Sequence, residues 1–580
     1  MNFSKKVQYL LLLFLLLLNI VIRYPTTSHE MGIDSFFIHG LANSISANGY
    51  AKWVVNPLSV LGLYPYSYST GVPYLLSGIS QSTGLNMEIV IFILGLFIAL
   101  IGMFSAYLMA KEIKNDDLFA FLTVFCFSTA PMFITLTTWT ISTRHLFLCL
   151  LPLLIFTLLR YHNKKDKRYL LLSLILLVGL TTIHRMMELF LPVIMAYFLA
   201  WFIMKHMKNM KLLKKLLVDI DGIILLVFLA VFLIIITDNL TSLIILIPIA
   251  YCLGFFILRI NKADRVNKSW FVSFGLLMLF LCAFFFQFLK ISIYKSAWHE
   301  YQTGFFFEGI QPHILLLNMM TNYTGQIGIL IIFSLIGILF LILKQERNFK
   351  EWFIFLTFLF IIPLFAYGTY VAIFLLPFFS VLAGYGIISF INMKRIKKYA
   401  FPTIVGCLLF SLSFSGFMIT HWGSQETSYT NKAWVMNDEI YSTGIFIKEY
   451  AHGAFVCSES MTCYRFSAYS ELPVFPGHSA WPLAYGFVDE VEIVTFSELT
   501  PTTTYFYTAN NPVQNDYNKL LTLDCDNTTA KEILSKYSIH YYIENNNMPP
   551  QNKFFKSVHE KRYKIYDNGV ESIWYLGRSY

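Results

Sequence analysis

A chain of 580 residues that is 56% hydrophobic and only 13% charged, with mean hydropathy +0.59, is too apolar for a soluble protein, in which about a quarter of residues are charged. Its repeated apolar runs of about 20 residues make it a polytopic membrane protein. The formal net charge of +9 then belongs to orienting loops and gives no reason to expect a nucleic-acid partner.

The spans, about 13 in all, fall near 6–23, 88–110, 118–136, 143–159, 168–184, 187–204, 216–236, 241–259, 269–289, 325–343, 352–367, 369–390 and 399–420. The first leaves the bilayer as VIRYPTTSHE, with no A-x-A cleavage site, and reads as a retained anchor. With Lys5 and Lys6 inside, alternate loops read KEIKNDD, RYHNKKDKRY, KHMKNMKLLKK, RINKADRVNKS, KQERNFKE and NMKRIKKY, all but the first plainly basic. The intervening loops TLTTWTIST, TDNLTS and AYGTY carry almost no Lys or Arg. This positive-inside pattern puts the N-terminus in the cytoplasm and the tail after the last span outside a cell membrane.

Three outer segments are long: residues 24–87, about 290–324, and the tail 421–580. The first begins with SHEMGIDSFFIHG, which sets Glu30 and Asp34 just beyond the bilayer. Phe37, Leu41 and Ile45 then recur at helical spacing up to Gly49, a C-cap, and predict a short helix lying along the membrane surface. Asp34 heads that helix, where the dipole and free N–H groups favour an ionised carboxylate able to take a proton or hold a metal. The plainer reading is an N-cap. The other outer acids are Glu30, Glu88, Glu188, Asp238, Glu300 and Glu308.

Arg144 and His145 in TISTRHLF, and His184, Arg185 and Glu188 in TTIHRMMELF, lie on the same outer side. Both arginines break the depletion of positive charge there, which points to an anion site; a guanidinium binds phosphate through two parallel N–H groups. The alternatives are a snorkelling Arg or an Arg185–Glu188 pair. AWHEYQTGFFFEG adds His299, Glu300 and Glu308 among interfacial aromatics.

In the tail, GAFVCSE, TTYFYTA and IHYYIE read as strands. NTTAKEILSKY reads as a helix capped by Asn527, and RYKIYDNGVESIWYL as a hairpin turning at Asn568-Gly569. The tail is therefore expected to be a small α/β domain, with residues 1–420 as the membrane domain. A Cys457–Cys463 bridge is open in an outside tail, and no Cys/His metal spacing occurs. Asn239, Asn322 and Asn527 are outer N-glycan sequons, whereas Asn267 faces inside.

These parts resemble the GT-C type of membrane glycosyltransferase. HEMGIDSFFIHGLANSISANGYAKW, followed by YPYSYSTGVPYLL, is similar to that family's first outer loop. Asp34 matches its catalytic acid, Gly49 the turn, and Tyr64-Pro65 with Gly71 the later stretch. The whole architecture, with its long outer loop and outside tail, is similar to the oligosaccharyltransferase catalytic subunit. Glu300 in SAWHEYQT matches that subunit's loop glutamate. The departures are a loop after the third span without an acid, and a tail without a WWDYG motif.

The resemblance implies a GT-C-like α-helical membrane protein with a small extracytoplasmic α/β tail. It implies an inverting glycosyltransferase that moves a sugar from a polyprenyl- or dolichyl-phosphate donor to a glycan, lipid or protein acceptor at the outer face. Asp34 would be the base, supported by Glu30 or Glu300, and Arg185 or Arg144 with His184 would hold the leaving phosphate. Without the second acidic motif, no Mn²⁺ or Mg²⁺ cofactor is expected. The alternatives are a divergent oligosaccharyltransferase acting in protein N-glycosylation, a lipid or polysaccharide flippase-type transporter, and a non-catalytic surface-assembly protein.

Overall fold

The computed structural model describes the chain from residue 3 to residue 577 outside 53–63, 208–311, 425–434, 489–511 and a few shorter breaks. Three expected spans (216–236, 241–259 and 269–289), the strand TTYFYTA, Asp238, His299, Glu300 and Glu308 lie outside the described residues. By packing, the chain forms two units: residues 1–187 with 323–337 and 373–580, and residues 188–322 with 338–372.

The first unit opens with α1 (Lys5–Val21), capped by the Ser4 hydroxyl. Next come α2 (Ile33–Asn48), α3 (Gly71–Thr83), α4 (Met87–Ile113), α5 (Asp117–Ser128), α6 (Pro131–Thr135), α7 (Thr143–Lys164) and α8 (Lys167–Ile183). Side chains of Asn86, Asp116, Ser142 and Asp166 cap four of these starts, each supplying an acceptor to an N–H with no intrahelical partner. The third expected span is two pieces, because Pro131 disfavours helical geometry at Ala130 and opens α6 afresh. The helix α3 was not expected; it starts at Gly71 and has Pro73 in its first turn.

In the second unit α9 (Phe190–Met207) packs on α12 (Phe349–Ile361), with the Tyr197 ring edge-on to Phe349 at 5.3 Å. The Lys344 ammonium meets the largely buried Glu351 carboxylate at 2.6 Å. Between α9 and α12 in the chain run α10 (Pro312–Ile327) and α11 (Ile331–Leu343). Their apolar parts turn by 106° at Gly328, which has a φ of 101°, so the expected span 325–343 is a broken one. After α12 come α13 (Thr369–Ile391) and α14 (Ala400–Ser424). Among the described residues five helices are long and apolar enough to cross a membrane, or six if the broken pair is one span.

The tail begins with α15 (Asp438–Tyr450), β1 (Ala454–Cys457), α16 (Ser460–Ser470) and β2 (Val474–Phe475). It continues through α17 (Trp481–Ala484), α18 (Pro512–Thr522), α19 (Thr528–Lys536), β3 (Ile539–Asn545), α20 (Lys553–Lys561), β4 (Tyr563–Asp567) and β5 (Glu571–Tyr575). The strands form one sheet in the order β2-β1-β3-β5-β4, parallel on the β1 side and antiparallel through the β4–β5 hairpin. The Asn527 cap and the turn at Gly569, φ 86°, stand where the sequence placed them. Tyr542 stacks on Phe555 at 4.2 Å in the core of this small domain. Cys457 and Cys463 are buried and are not joined in a disulfide.

The helix α2 has the expected span and the expected left-handed Gly49 cap. It does not lie on a surface. Phe36, Ile38, Leu41 and Ala42 are fully buried, and Ser35, His39 and Ser44 on the polar side are buried too. The tail covers that side: the Asn43 amide donates to Ala468 O at 2.8 Å, and the Ser44 hydroxyl to Ala484 O at 2.8 Å. Periodicity showed only the apolar face, since the residues that bury the other one come more than 400 positions later.

Candidate active site

The segment that carries Glu30 and Asp34 is anchored at both ends. Where α1 ends, the buried Arg23 guanidinium donates to Thr137 Oγ1 at 2.7 Å, Asn19 Oδ1 at 2.7 Å and Ser128 O at 2.9 Å. Each of the three guanidinium nitrogens thus meets an acceptor, as burial of a cation requires. Further on, Met31 N–H donates to Trp139 O at 3.0 Å, and Met31 also bridges to Val435 of the tail. Gly32 follows with a φ of 98°, and a Cβ there would stand 2.7 Å from Thr140 Oγ1. Only glycine accepts both the conformation and the approach. That turn starts α2 and sets Asp34 in its first turn.

The helix α7 starts beside this turn. Ser142 and His145 cap it reciprocally, with Ser142 N–H donating to His145 Nδ1 at 3.0 Å. The Ser35 hydroxyl accepts Ile141 N–H at 3.0 Å, which ties the start of α2 to the start of α7. Arg144, in the first turn of α7, forms an ion pair with Asp34. The Asp34 side chain is 48% exposed and that of Arg144 23%, so the pair stands at the edge of the packed helices where a ligand can reach it.

His184 caps the end of α8 in an extended conformation. Its Nδ1 accepts Met186 N–H at 2.9 Å, so the neutral ring carries its proton on Nε2. The charges of Arg144 and Arg185 both act on this imidazole. The structure therefore gathers Asp34, Arg144, His184 and Arg185 around the starts of α2 and α7 and the end of α8. Gly71, at the start of α3, closes on the same end of α8, with Thr182 O 3.3 Å from where its Cβ would be.

Glu30 belongs to a different pair. It is wholly buried, its Oε2 lies 2.9 Å from His39 Nδ1, and Ser35 is a further partner. Burial, the largest influence, pushes its carboxyl above the usual range, and the nearby Glu88 adds to this while His39 opposes it. Next to it His29 spans two acids, Glu88 at 3.1 Å and Asp438 of the tail at 3.2 Å, and stacks on Tyr441 at 3.9 Å. Tyr469 completes the cluster; burial first, then Glu30 and Glu88, raise its hydroxyl's pKa far above the ordinary value. His29, His39, Asp438, Tyr441 and Tyr469 carry no motif, and no local pattern singles them out.

Among the described residues one group could offer three metal ligands, Asp524, Cys525 and Asp526 in the tail. Lys561 and Arg562 already engage both carboxylates, at 2.7 and 2.8 Å. Asp34 is in no such group among the described residues.

Comparison with known proteins bears on the fold. Residues 69–236 match the family described as dolichyl-phosphate-mannose-protein mannosyltransferase. No curated relative matches the sequence. Among solved structures, the chain is similar to the archaeal oligosaccharyltransferase AglB from Archaeoglobus fulgidus in complex with an inhibitory peptide and a dolichol-phosphate. That likeness has TM-score 0.56 and 13% identity over 93% of this chain and 69% of the other. The same organism's oligosaccharyltransferase tethered to an acceptor peptide with the NVT sequon gives TM-score 0.56 and 13% identity, over 94% and 69%. At this identity the likeness is one of fold. The resemblance read from the first outer loop thus holds: the chain shares the fold of the GT-C membrane glycosyltransferases, and its residues 69–236 match one of their families.

Proposed function

We propose that the protein is an inverting glycosyltransferase of the cell membrane, drawing its sugar from a polyprenyl- or dolichyl-phosphate donor at the outer face. The observation that carries this is the pairing of Asp34 with Arg144 beside His184 and Arg185. A carboxylate and a guanidinium side by side at the accessible end of a helix bundle provide a base and a phosphate ligand within one site.

In the reaction the acceptor hydroxyl or amide gives its proton to Asp34 as its heteroatom bonds to the sugar's anomeric carbon. The bond from that carbon to the phosphate oxygen breaks on the opposite side, and its electron pair stays on the phosphate. Arg144, Arg185 and the Nε2–H of His184 stabilise the charge that develops there. Before the donor arrives, the ion pair occupies both groups. The donor phosphate competes for Arg144 and frees Asp34 to act as base, so donor binding prepares the site for the acceptor. Glu300 would support Asp34 from the second outer loop, and Glu30 would support it indirectly through the packing beneath α2. The fold also favours a second reading, a divergent oligosaccharyltransferase with an Asn acceptor.

Asp34→Asn retains size and helix compatibility but removes the base. Transfer from a polyprenyl-phosphate sugar should fall by roughly 10² or more, the scale of lost general-base catalysis, while polyprenyl-phosphate binding persists. Normal transfer by the purified variant would end the assignment. Arg144→Lys retains the charge and loses the fork, so donor affinity should fall.

A further inference from the structure

Farther along α2 lies a cleft of about 270 Å³ that the proposed transfer does not use. One wall is the polar face of α2, where Asn43, Ala47 and Asn48 share a side at helical spacing. The other wall belongs to the tail, with Glu471 after α16 and Tyr485 after α17, and Lys52 closes one end.

The chemistry of this cleft is specific. The Asn43 amide N–H is engaged by Ala468 O at 2.8 Å and that of Asn48 by Ser44 Oγ at 3.4 Å, which leaves each Oδ1 as an acceptor. Lys52 is partly buried and makes no ion pair among the described residues, so its ammonium is a donor available to the cleft. Glu471 holds a left-handed φ of 56°, uncommon for a residue with a side chain, and is fixed by Lys448 at 2.5 Å. Tyr485 contributes an aromatic ring. Fixed acceptors, a donor cation and a ring suit a molecule with many hydroxyls and apolar C–H faces. They do not suit a lipid chain. The volume lies near the small end of ligand pockets, roughly 300 Å³, which is room for one or two sugar units.

Its position adds a role. Asn43 and Asn48 follow Asp34 on one continuous helix, roughly 14 to 21 Å away at 1.5 Å per residue. We propose that the cleft is a carbohydrate subsite that holds the distal sugar units of a saccharide acceptor whose reactive hydroxyl reaches Asp34. The acceptor role rests on the transferase reading given above; the binding of sugar does not.

The test uses the purified full-length chain in detergent on an array of defined oligosaccharides of graded length, with peptides containing Asn, Ser and Thr printed alongside. Undecaprenyl phosphate binding is measured on the same preparations. Ala47→Trp, at an exposed position, fills the cleft without disturbing the core, and Lys52→Ala removes the donor. Wild type should retain a set of oligosaccharides; Ala47→Trp should weaken this by about tenfold or more, and Lys52→Ala by a smaller factor. Both variants should still bind undecaprenyl phosphate. Retention of no oligosaccharide, or equal retention by Ala47→Trp, overturns the proposal, and retention of peptides in place of sugars makes the cleft a polypeptide site. Sugar binding by a chain that ignores undecaprenyl phosphate would uphold the cleft and sink the transferase reading.

Discussion

Replacing His39 by Leu would expose how the core beneath the site is balanced. Glu30 is 0% exposed, and His39, 2.9 Å from its carboxylate, is its strongest partner. Breaking a buried pair from one side costs about 3–5 kcal/mol, because the remaining charge is left in an apolar shell. The carboxyl can escape part of that cost by taking up a proton, and its folded-state pKa is already raised above the ordinary 4.5 by burial. The folded chain therefore holds a proton that the unfolded chain has released, over the window from the ordinary value up to the raised one. In that window stability falls as pH rises, and it levels off once the folded carboxyl has also ionised. His39→Leu should thus cost about 3–5 kcal/mol above the window and less at its acid end. Glu30→Gln, which fits the same space without a charge, should flatten this part of the pH dependence. The double variant should recover much of the loss. Unfolding followed by tryptophan fluorescence in detergent, from pH 5 to pH 8, reads all four chains. A His39→Leu chain as stable as wild type throughout this range, or a Glu30→Gln chain with an unaltered slope, would refute the reasoning.

Gly32→Ala should destabilise by about 1–3 kcal/mol and lower turnover, since it forces a side chain into a φ of 98° and against Thr140; thermal unfolding and transfer assays check both. Transfer activity is expected to survive EDTA, and a loss restored by Mn²⁺ would favour the oligosaccharyltransferase reading with Asp34 as a ligand. An impermeant thiol reagent should modify a cysteine placed at Ser424 and spare one at Lys164; the reverse labelling would put Asp34 in the cytoplasm.

What the sequence could reveal was local. The Gly49 cap, the Asn527 cap and the hairpin at Asn568-Gly569 each depend on residues within a turn of one another, and each is found in place. Asp34 and Arg144 stood out separately, one by its place after the first span and one by its sign. Their pairing joins positions 110 apart, and no local pattern encodes it. His29 and His39 are lone histidines in a loop and a helix; the acids of His29 come from positions 59 and 409 residues on, and Glu30 lies nine residues before His39 at a spacing that marks no motif. The burial of the polar side of α2 was invisible for the same reason, and α3 was missed because its first turn is built from residues that usually mark a break.

The two bonds from α2 to the tail have a consequence for how the protein is made. Asn43 waits for Ala468 and Ser44 for Ala484, partners 425 and 440 residues later. At typical rates of synthesis that is an interval of roughly 20 to 90 s, long beside the time a helix needs to form. Throughout it the polar side of α2 lacks both of these partners. A nascent chain that ends before residue 468 therefore has neither bond to α2, although Asp34, Arg144, His184 and Arg185 have all been made. The interval is also the period in which a chaperone has access to this segment.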